Sequence, residues 1–183
     1  MTEAHRPFNE RMAAQQALLA ATRRVSGALP SFSKWLMAGF GAAFTLTVAN
    51  IEAVSKFIDV SHIRLGLLLF LISLGLAVVS TYLGTIVNAA MAAQEDGEAL
   101  GQRIIESKQP FSVETFSSEY EQGLFPPIRW IARSSMEKAK RGDIVAGARM
   151  IAKISQIQAL LILAQGILAV VAAGAMAIGL KAQ

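Results

Sequence analysis

The chain has 183 residues, of which 54% are hydrophobic and only 16% are charged. A soluble domain usually carries about 25% charged residues, so this composition argues against an ordinary soluble globule. Cysteine is absent, which excludes disulfides, thiolate nucleophiles and cysteine-based metal sites. The formal net charge of +4 would suit a nucleic-acid partner in a soluble protein, but the charge bias of membrane loops explains it more simply.

Three stretches without a charged side chain dominate the sequence: 35–51, 65–94 and 154–180. A bilayer core about 30 Å thick needs roughly 20 helical residues. The second and third stretches are long enough, and the first becomes so if its helix extends past Glu52. The sequence therefore predicts an all-α integral membrane helical bundle with three transmembrane helices, an N-terminal amphipathic helix and a helical cytoplasmic loop. The predicted segments are 1–30 for the N-terminal helix, 31–58, 63–93 and 154–180 for the transmembrane helices, 59–62 for a turn, 94–153 for the loop and 181–183 for the tail.

Local signals place the first boundaries. Pro30 is predicted to end the amphipathic helix, because proline lacks the N–H that a helix interior needs. Ser31 or Ser33 can then cap the first transmembrane helix, since a serine hydroxyl accepts a hydrogen bond from the first turn. Asp59 and Ser61 are the corresponding cap candidates for the second transmembrane helix, and so few connecting residues make the first two helices antiparallel neighbours.

The loop between the second and third transmembrane helices is predicted to have three parts. The second helix continues into water to about Lys108, residues 109–127 form an irregular loop rich in proline and glycine, and residues 128–141 form a basic helix. Gly142 then stops that helix, and Asp143 caps the last one.

The distribution of basic residues predicts the orientation, because lysine and arginine in short loops mark the cytoplasmic side. Five of them lie in residues 1–34 and nine in residues 94–153. With three crossings these two segments share a side, so we expect both in the cytoplasm and the C-terminus outside. The expected location is a bacterial inner (plasma) membrane, which the chain crosses more than once.

Three polar side chains are candidates for facing a pore: Asn50, Glu52 and Gln165. Three helices leave little room for a solute cavity inside one chain, so a pore needs several copies, and cyclic homo-oligomers are the common solution. Glu52 is also spaced i,i+4 from Lys56, and the two can instead form an interfacial ion pair.

Polar side chains inside the predicted membrane segments have two interpretations. Amides and hydroxyls are costly in hydrocarbon, so they should face protein or water. They are then either contacts that hold helices together or the lining of a wetted pathway. The members of this set are Asn50, Ser80, Thr81, Tyr82, Asn88, Gln156, Gln158 and Gln165.

The basic helix of the loop is the best candidate for contacting lipid or a protein partner. Its cations can hold anionic headgroups at about 1 kcal/mol each, or they can simply reflect the charge bias of cytoplasmic loops. Aromatic side chains in the same loop also need a surface to cover them, which is either the helix extensions or another protein. These aromatic residues are Phe111, Phe116, Tyr120 and Phe125. The candidate contact residues are Arg129, Trp130, Arg133, Lys138, Lys140 and Arg141.

Two functional hypotheses follow. The first is a homo-oligomeric ion channel or membrane-perturbing effector, and the second is a non-conducting anchor or scaffold that recruits a cytoplasmic partner through residues 94–153. An enzyme is not expected, because no catalytic motif is present. No metal or other cofactor is expected either, since His5 and His62 fall on opposite sides of the membrane. Nucleic-acid binding is disfavoured, because nine acidic residues accompany the nine basic ones in the loop.

Overall fold

A computed structural model of the chain describes residues 10–107, 110–124, 126, 128–143 and 145–181. Over these residues the chain is all-α, as predicted, and contains no β-strand beyond one isolated bridge. The helices are α1 Glu10–Ala49, α2 Ile51–Val54, α3 Val60–Ser107, α4 Val113–Gln122, α5 Ile128–Lys140 and α6 Ala146–Ile178. His5, Lys108 and Phe125, which enter the predictions above, lie outside the described residues.

The predicted break at Pro30 is wrong, because α1 runs through it without interruption. A proline inside a helix deprives the carbonyl four residues earlier, here that of Ser26, of its N–H partner. Both Ser26 and Ser33 are nonetheless buried, so a break between them would unpack two turns of the helix. The capping role predicted for Ser31 or Ser33 is wrong for the same reason, since both lie within the helix.

The predicted continuous helix to residue 58 is interrupted at Asn50, whose backbone has φ −116° and ψ 30°. The side-chain amide of Asn50 donates to the carbonyl oxygen of Leu46 at 2.9 Å. That carbonyl also accepts from the backbone N–H of Asn50 at 3.1 Å. Asparagine side chains compete in this way for helical hydrogen bonds, which explains why the regular helix ends there. The four residues of α2 and a turn complete the connection.

The helix α3 confirms that the second predicted transmembrane helix continues well beyond its apolar stretch, because it extends unbroken for 48 residues. The irregular loop predicted at 109–127 is partly wrong, since it contains α4. Ser112 caps that helix by accepting from the backbone N–H of Thr115 at 3.2 Å. Of the residues that suggested a loop, Pro110, Gly123 and Pro126 are described, and they lie outside α4 on either side of it.

The basic helix and its stop signal are confirmed. Helix α5 has nearly the predicted bounds, and Gly142 follows with φ 88°, a left-handed conformation that glycine adopts at low cost. The carboxylate of Asp143 forms an ion pair with Arg149, and its backbone oxygen accepts from Ala146 at 3.2 Å. The last helix begins at Ala146, slightly later than predicted.

The chain divides into two compact units. The first, called here the charged unit, combines the start of α1 up to Arg23 with Val87–Ile154. In its core Val87 and Met91 of α3 pack against Ile151 of α6. An exposed ion pair between Arg23 and Glu95 links α1 to α3 within this unit.

The second unit, called here the apolar unit, combines Arg24–Ile86 with the chain from Ser155 onward. It contains most of α1, the first half of α3 and most of α6. Phe44 of α1 stacks on Phe70 of α3 with ring centroids 4.4 Å apart. Since the chain connects α1 to α3 through a short turn, the two helices pack antiparallel, as predicted.

Two helices, α3 and α6, are long and apolar enough to cross a membrane. Within the apolar stretch of each helix, only 33% of α3 and 28% of α6 is buried inside the protein. A core helix of a soluble protein is buried over most of its apolar surface, so the exposed apolar faces are consistent with a membrane location. Among the described residues α1 does not meet the same criterion, because the uncharged part of this helix runs only from Trp35 to Ala49 and is shorter than a bilayer requires.

Candidate functional site: a polar core in the apolar unit

Buried polar side chains recur at seven-residue intervals on all three long helices of the apolar unit. Residues seven apart lie two helical turns apart and share a face. Each helix therefore contributes one such pair to the interior, and every member of these pairs is at most 5% exposed. The set, called here the polar core, is Ser26 and Ser33 of α1, Ser73 and Ser80 of α3, and Gln158 and Gln165 of α6.

Gln165 connects all three helices. The hydroxyl of Ser33 donates to Gln165 Oε1 at 2.9 Å, and the hydroxyl of Ser73 donates to the backbone oxygen of Gln165 at 3.0 Å. Hydrogen bonds between helices in a membrane contribute on average about 0.6 kcal/mol each. This layer of the polar core therefore fixes the register of α1 and α3 against α6.

Gln158 lies two turns earlier on the same face of α6 and is also fully buried. Neither its Oε1 nor its Nε2 has a hydrogen-bond partner among the described residues, and the Nε2 of Gln165 has none either. The nearest polar side chain of the core on α3, Ser80, donates to its own helix at Ala77 O. A buried polar atom left without a partner costs roughly 1–3 kcal/mol, so this layer is the least satisfied part of the interior.

A glycine makes room for the Gln158 amide. A Cβ added to Gly84 would lie only 2.5 Å from Gln158 Nε2. Any larger residue at this position requires the glutamine to move, because real Cβ atoms do not approach other heavy atoms so closely. The contact shows that α3 passes directly over the amide and closes the polar core on that side.

The other end of the apolar unit is closed by backbone contacts. An isolated antiparallel bridge pairs Ile58 with Leu180, and the N–H of Asp59 donates to Gly179 O at 2.9 Å. A Cβ on Gly179 would lie 2.5 Å from the Cβ of His62. The turn before α3 is therefore held tightly against the end of α6.

The three residues predicted to face a pore are not brought together. Asn50 and Glu52 are exposed, whereas Gln165 is buried among three helices of its own chain with Ser33 and Ser73 as partners. The alternative ion pair is not observed either, since the salt bridges of the described residues include none between Glu52 and Lys56.

The basic residues predicted to contact lipid or a partner all lie on or just after α5 in the charged unit and are all exposed. Arg133 pairs within the helix with Glu137, Nε to Oε1, at 3.2 Å. Trp130 is 68% exposed, which is unusual for the largest side chain in the unit. The side chains of α5 therefore present both positive charge and an uncovered aromatic ring.

An exposed aromatic row lies on and just before α4 and comprises Phe111, Phe116 and Tyr120. The ring centroids of Phe111 and Phe116 are 5.6 Å apart, and those of Phe116 and Tyr120 are 5.9 Å apart. Each of the three side chains is at least 40% exposed. The rings contact one another, and the described part of the unit leaves each of them partly exposed, so the helix extensions do not cover them completely.

The sequence interpretation identified three members of the polar core and missed three. Ser80, Gln158 and Gln165 were named as buried polar groups, but Ser26 and Ser33 were separated by the break assigned at Pro30. The missed signal was the common seven-residue spacing, which the serines of α1 and α3 share with the glutamines of α6.

No group of three or more histidine or carboxylate side chains converges within the described part of the chain. The polar core instead offers neutral amides and hydroxyls, which bind water, peptide groups or ions only weakly. Comparison with protein-family models, curated proteins and solved structures gave no match.

Proposed function

We propose that this chain is a non-conducting membrane anchor whose charged unit docks a cytoplasmic protein. In this proposal α1, α3 and α6 each cross the membrane, and the charged unit lies on the cytoplasmic side with the N-terminus. Most of the lysines and arginines of the chain belong to that unit, and this distribution supports the orientation in a bacterial inner membrane. The C-terminus then lies on the opposite side.

The observation that carries the proposal is the exposed aromatic row of Phe111, Phe116 and Tyr120. Exposed clusters of large apolar side chains mark interaction surfaces in soluble parts of proteins, and aromatic residues are enriched at the centres of protein interfaces. The basic side chains of α5 lie on the neighbouring helix of the same unit. An aromatic centre beside a positive rim suits a partner that carries acidic residues around an apolar patch.

The test is site-specific photocrosslinking in native membranes. A crosslinking amino acid at Tyr120 should capture one stoichiometric partner, and the double variant Phe111→Ser/Phe116→Ser should abolish the capture while the protein remains in the membrane. Leu100→Ser, at a residue of the same unit that is 42% exposed but outside the row, is the matched control and should leave the capture intact. Absence of any crosslinked partner, or capture that persists in the double variant, would contradict the proposal.

A second candidate function, conduction by a homo-oligomer or through the polar core itself, is favoured by one observation. The buried amide of Gln158 has no partner for its two polar atoms within the described chain, and such groups can be satisfied by water or a passing ion. Asn50 and Glu52, exposed near the other end of the apolar unit, can then form the mouth of the same pathway, where a carboxylate favours cations.

This candidate is tested by ion flux into liposomes that contain the purified protein. Conduction predicts that Gln158→Met and Gln165→Leu suppress the flux and that Glu52→Ala changes its cation preference. Gln156→Met, at an exposed position of the same helix, is the control. No flux from the wild type, together with a monomeric mass in nanodiscs, would leave the anchor as the better account.

A further inference from the structure

A groove between α1 and α3 on the surface of the apolar unit has no role in the anchor or docking surface. Its volume is about 550 Å³, and it is lined by Lys34, Met37, Val78, Thr81, Tyr82 and Thr85 and by the buried residues Ser33 and Ala77. Of the first six, all except Met37 are exposed. The groove therefore opens sideways from the bundle, and its buried wall includes Ser33 of the polar core, whose hydroxyl already donates to Gln165.

The groove is polar at one end and apolar at the other. Because α1 and α3 are antiparallel, Lys34 lies level with the later residues Tyr82 and Thr85, and Met37 lies level with Val78. The hydroxyls of Thr81 and Thr85 already donate to backbone oxygens of their own helix. The hydrogen-bond donors left at the polar end are then the Lys34 ammonium and the Tyr82 phenol.

The polar end lies about one membrane thickness from the far end of the apolar unit. From Val60 to Tyr82, α3 rises about 33 Å, close to the hydrocarbon thickness of about 30 Å. Trp35, which follows Lys34, is 80% exposed, as expected for an aromatic ring in the headgroup region. In the membrane orientation proposed above, Lys34 and Tyr82 therefore lie at headgroup level and Met37 and Val78 at acyl-chain level.

From this arrangement we infer that the groove binds one anionic phospholipid of the cytoplasmic leaflet, with its phosphate on Lys34 and Tyr82 and an acyl chain along Met37 and Val78. The inference rests on the membrane insertion of the proposed function. A zwitterionic lipid also has a phosphate, but its ammonium needs an acidic partner. The only acidic side chains of the apolar unit, Glu52 and Asp59, lie toward its other end, so the groove favours a headgroup with net negative charge.

The test compares phosphatidylglycerol with phosphatidylcholine of identical acyl chains, titrated into the delipidated full-length protein and counted by native mass spectrometry. The wild type should bind one phosphatidylglycerol more tightly than the next and more tightly than phosphatidylcholine. Lys34→Gln should weaken that first site about fivefold, the effect of one cation near a headgroup. Arg24→Gln removes the same charge from α1 outside the groove and should leave the site unchanged.

Three results would overturn the inference. Equal binding of the two lipids by the wild type would indicate that the groove does not select the headgroup. Equal loss of binding in the Lys34 and Arg24 variants would indicate diffuse surface charge, and full displacement of phosphatidylglycerol by inorganic phosphate alone would indicate an anion site that does not use the apolar wall. Carbonate extraction of membranes and the crosslinking at Tyr120 are measured separately, so a failure of insertion or docking is distinguished from a failure of lipid selection.

Discussion

At the residue scale, the two glutamines of α6 are chemically identical but differ in what surrounds them. Gln165 accepts a hydrogen bond from Ser33, while Gln158 has no partner among the described residues. The difference arises from the serines of the neighbouring helices. Ser33 and Ser73 donate their hydroxyls to Gln165, whereas Ser80 donates to a backbone oxygen of its own helix. One glutamine therefore stabilises the helix arrangement and the other weakens it.

Replacement of Ser33 by alanine should lower the free energy of unfolding by about 1 kcal/mol, because it leaves Gln165 Oε1 unpaired inside the bundle. Ser31→Ala is the matched control, at an exposed position two residues earlier on α1, and should have no measurable effect. The measurement is reversible unfolding of the purified protein in mixed micelles. Equal effects of the two substitutions would show that the Ser33 hydrogen bond contributes nothing to stability.

Replacement of Gln158 by methionine should have the opposite sign. Methionine has a similar length without the amide, so it removes two unpaired polar atoms while filling the space beside Gly84. We expect stability to rise by about 1 kcal/mol, and Gln156→Met on the exposed side of α6 to change it little. A loss of stability in Gln158→Met would show that the amide has a partner in the membrane, such as a water or an ion, and would strengthen the case for conduction.

These residues also show what the sequence could and could not predict. Hydropathy identified Gln158 and Gln165 correctly, because an amide within a long uncharged stretch must find protein or water. The same reasoning grouped them with Tyr82 and Gln156, which are exposed, since hydropathy does not specify which side of a helix faces its neighbours. Ser33 was misassigned because a proline three residues earlier was given more weight than tertiary packing.

At the element scale, glycines determine how closely α3 approaches α6. A Cβ on Gly66 would lie 2.8 Å from Met176 Cγ and 3.0 Å from the backbone oxygen of Ala172, whereas a Cβ on Gly75 meets nothing within 4 Å. The backbone oxygen cannot move without shifting α6 itself. The two positions thus separate the effect of helix contact from the intrinsic helix preference of alanine.

Gly66→Ala should destabilise the protein by about 1–3 kcal/mol through overpacking, while Gly75→Ala should be neutral or stabilising by up to about 1 kcal/mol, since alanine favours a helix more than glycine does. Both are measured by the same unfolding assay. If both substitutions stabilised the protein, the close approach of α3 to α6 at Gly66 would not exist in solution.

The start of α3 is a second element-scale feature, because it is capped by Asp59, one of the two candidates that the sequence offered, while the other, Ser61, lies within the helix. The Oδ1 of Asp59 accepts from the backbone N–H of Ser61 at 3.0 Å. This bond, followed by the Ser61 hydroxyl and by electrostatic interactions with His62 and Lys181, lowers the pKa of the Asp59 carboxyl below its ordinary value of 3.8. The ionised carboxylate is therefore the form that the folded state favours.

A lowered folded-state pKa stabilises the protein above the unfolded pKa, and this contribution is lost as the pH falls through the lower folded value. The stability advantage of the wild type over Asp59→Asn should thus be constant from pH 7 to about pH 5 and shrink below about pH 4. Asparagine keeps a capping oxygen but does not titrate, so the difference between the two isolates Asp59. A difference that is the same at pH 3 and pH 7 would rule out this linkage.

Helix boundaries could be predicted only where a local signal decided them. Gly142 and Asp59 act locally: the end of α5 was predicted closely, and α3 begins directly after Asp59, three residues before the predicted start at residue 63. The helix α4 was missed because Pro110 and Gly123, which flank it, suggested an irregular loop across the whole interval. Asn50 interrupts the helix that was expected to continue to residue 58, and a single asparagine near a helix end is too weak a signal to predict a break.

At the scale of the whole molecule, the division into two units agrees with the separation of charge along the chain. The apolar unit comprises α1 from Arg24, α3 to Ile86 and α6 from Ser155. The segments of α1 and α3 in this unit have about 26 to 27 residues each. At a rise of 1.5 Å per residue, each is about 40 Å long. That length covers the hydrocarbon core and both headgroup regions. The segments of α1 and α3 therefore have the length that the proposed three-span arrangement requires, even though α1 carries more charge than the other two helices.

The crossing by α1 is the decisive topological prediction, because α3 and α6 alone place the charged residues 94–153 on one side whether or not α1 spans the membrane. The chain has no cysteine, so single cysteines at the exposed positions Ala17, Lys56 and Ser118 can be labelled with a membrane-impermeant maleimide without background. If α1 crosses, Ala17→Cys and Ser118→Cys react from the same side, and Lys56→Cys reacts from the other. If α1 instead lies along the surface beside the turn at Lys56, Ala17→Cys reacts together with Lys56→Cys, and the three-span arrangement is wrong.

In that case Lys34 and Tyr82 would no longer share a leaflet, so the same experiment also decides whether the groove can hold a lipid of the cytoplasmic leaflet.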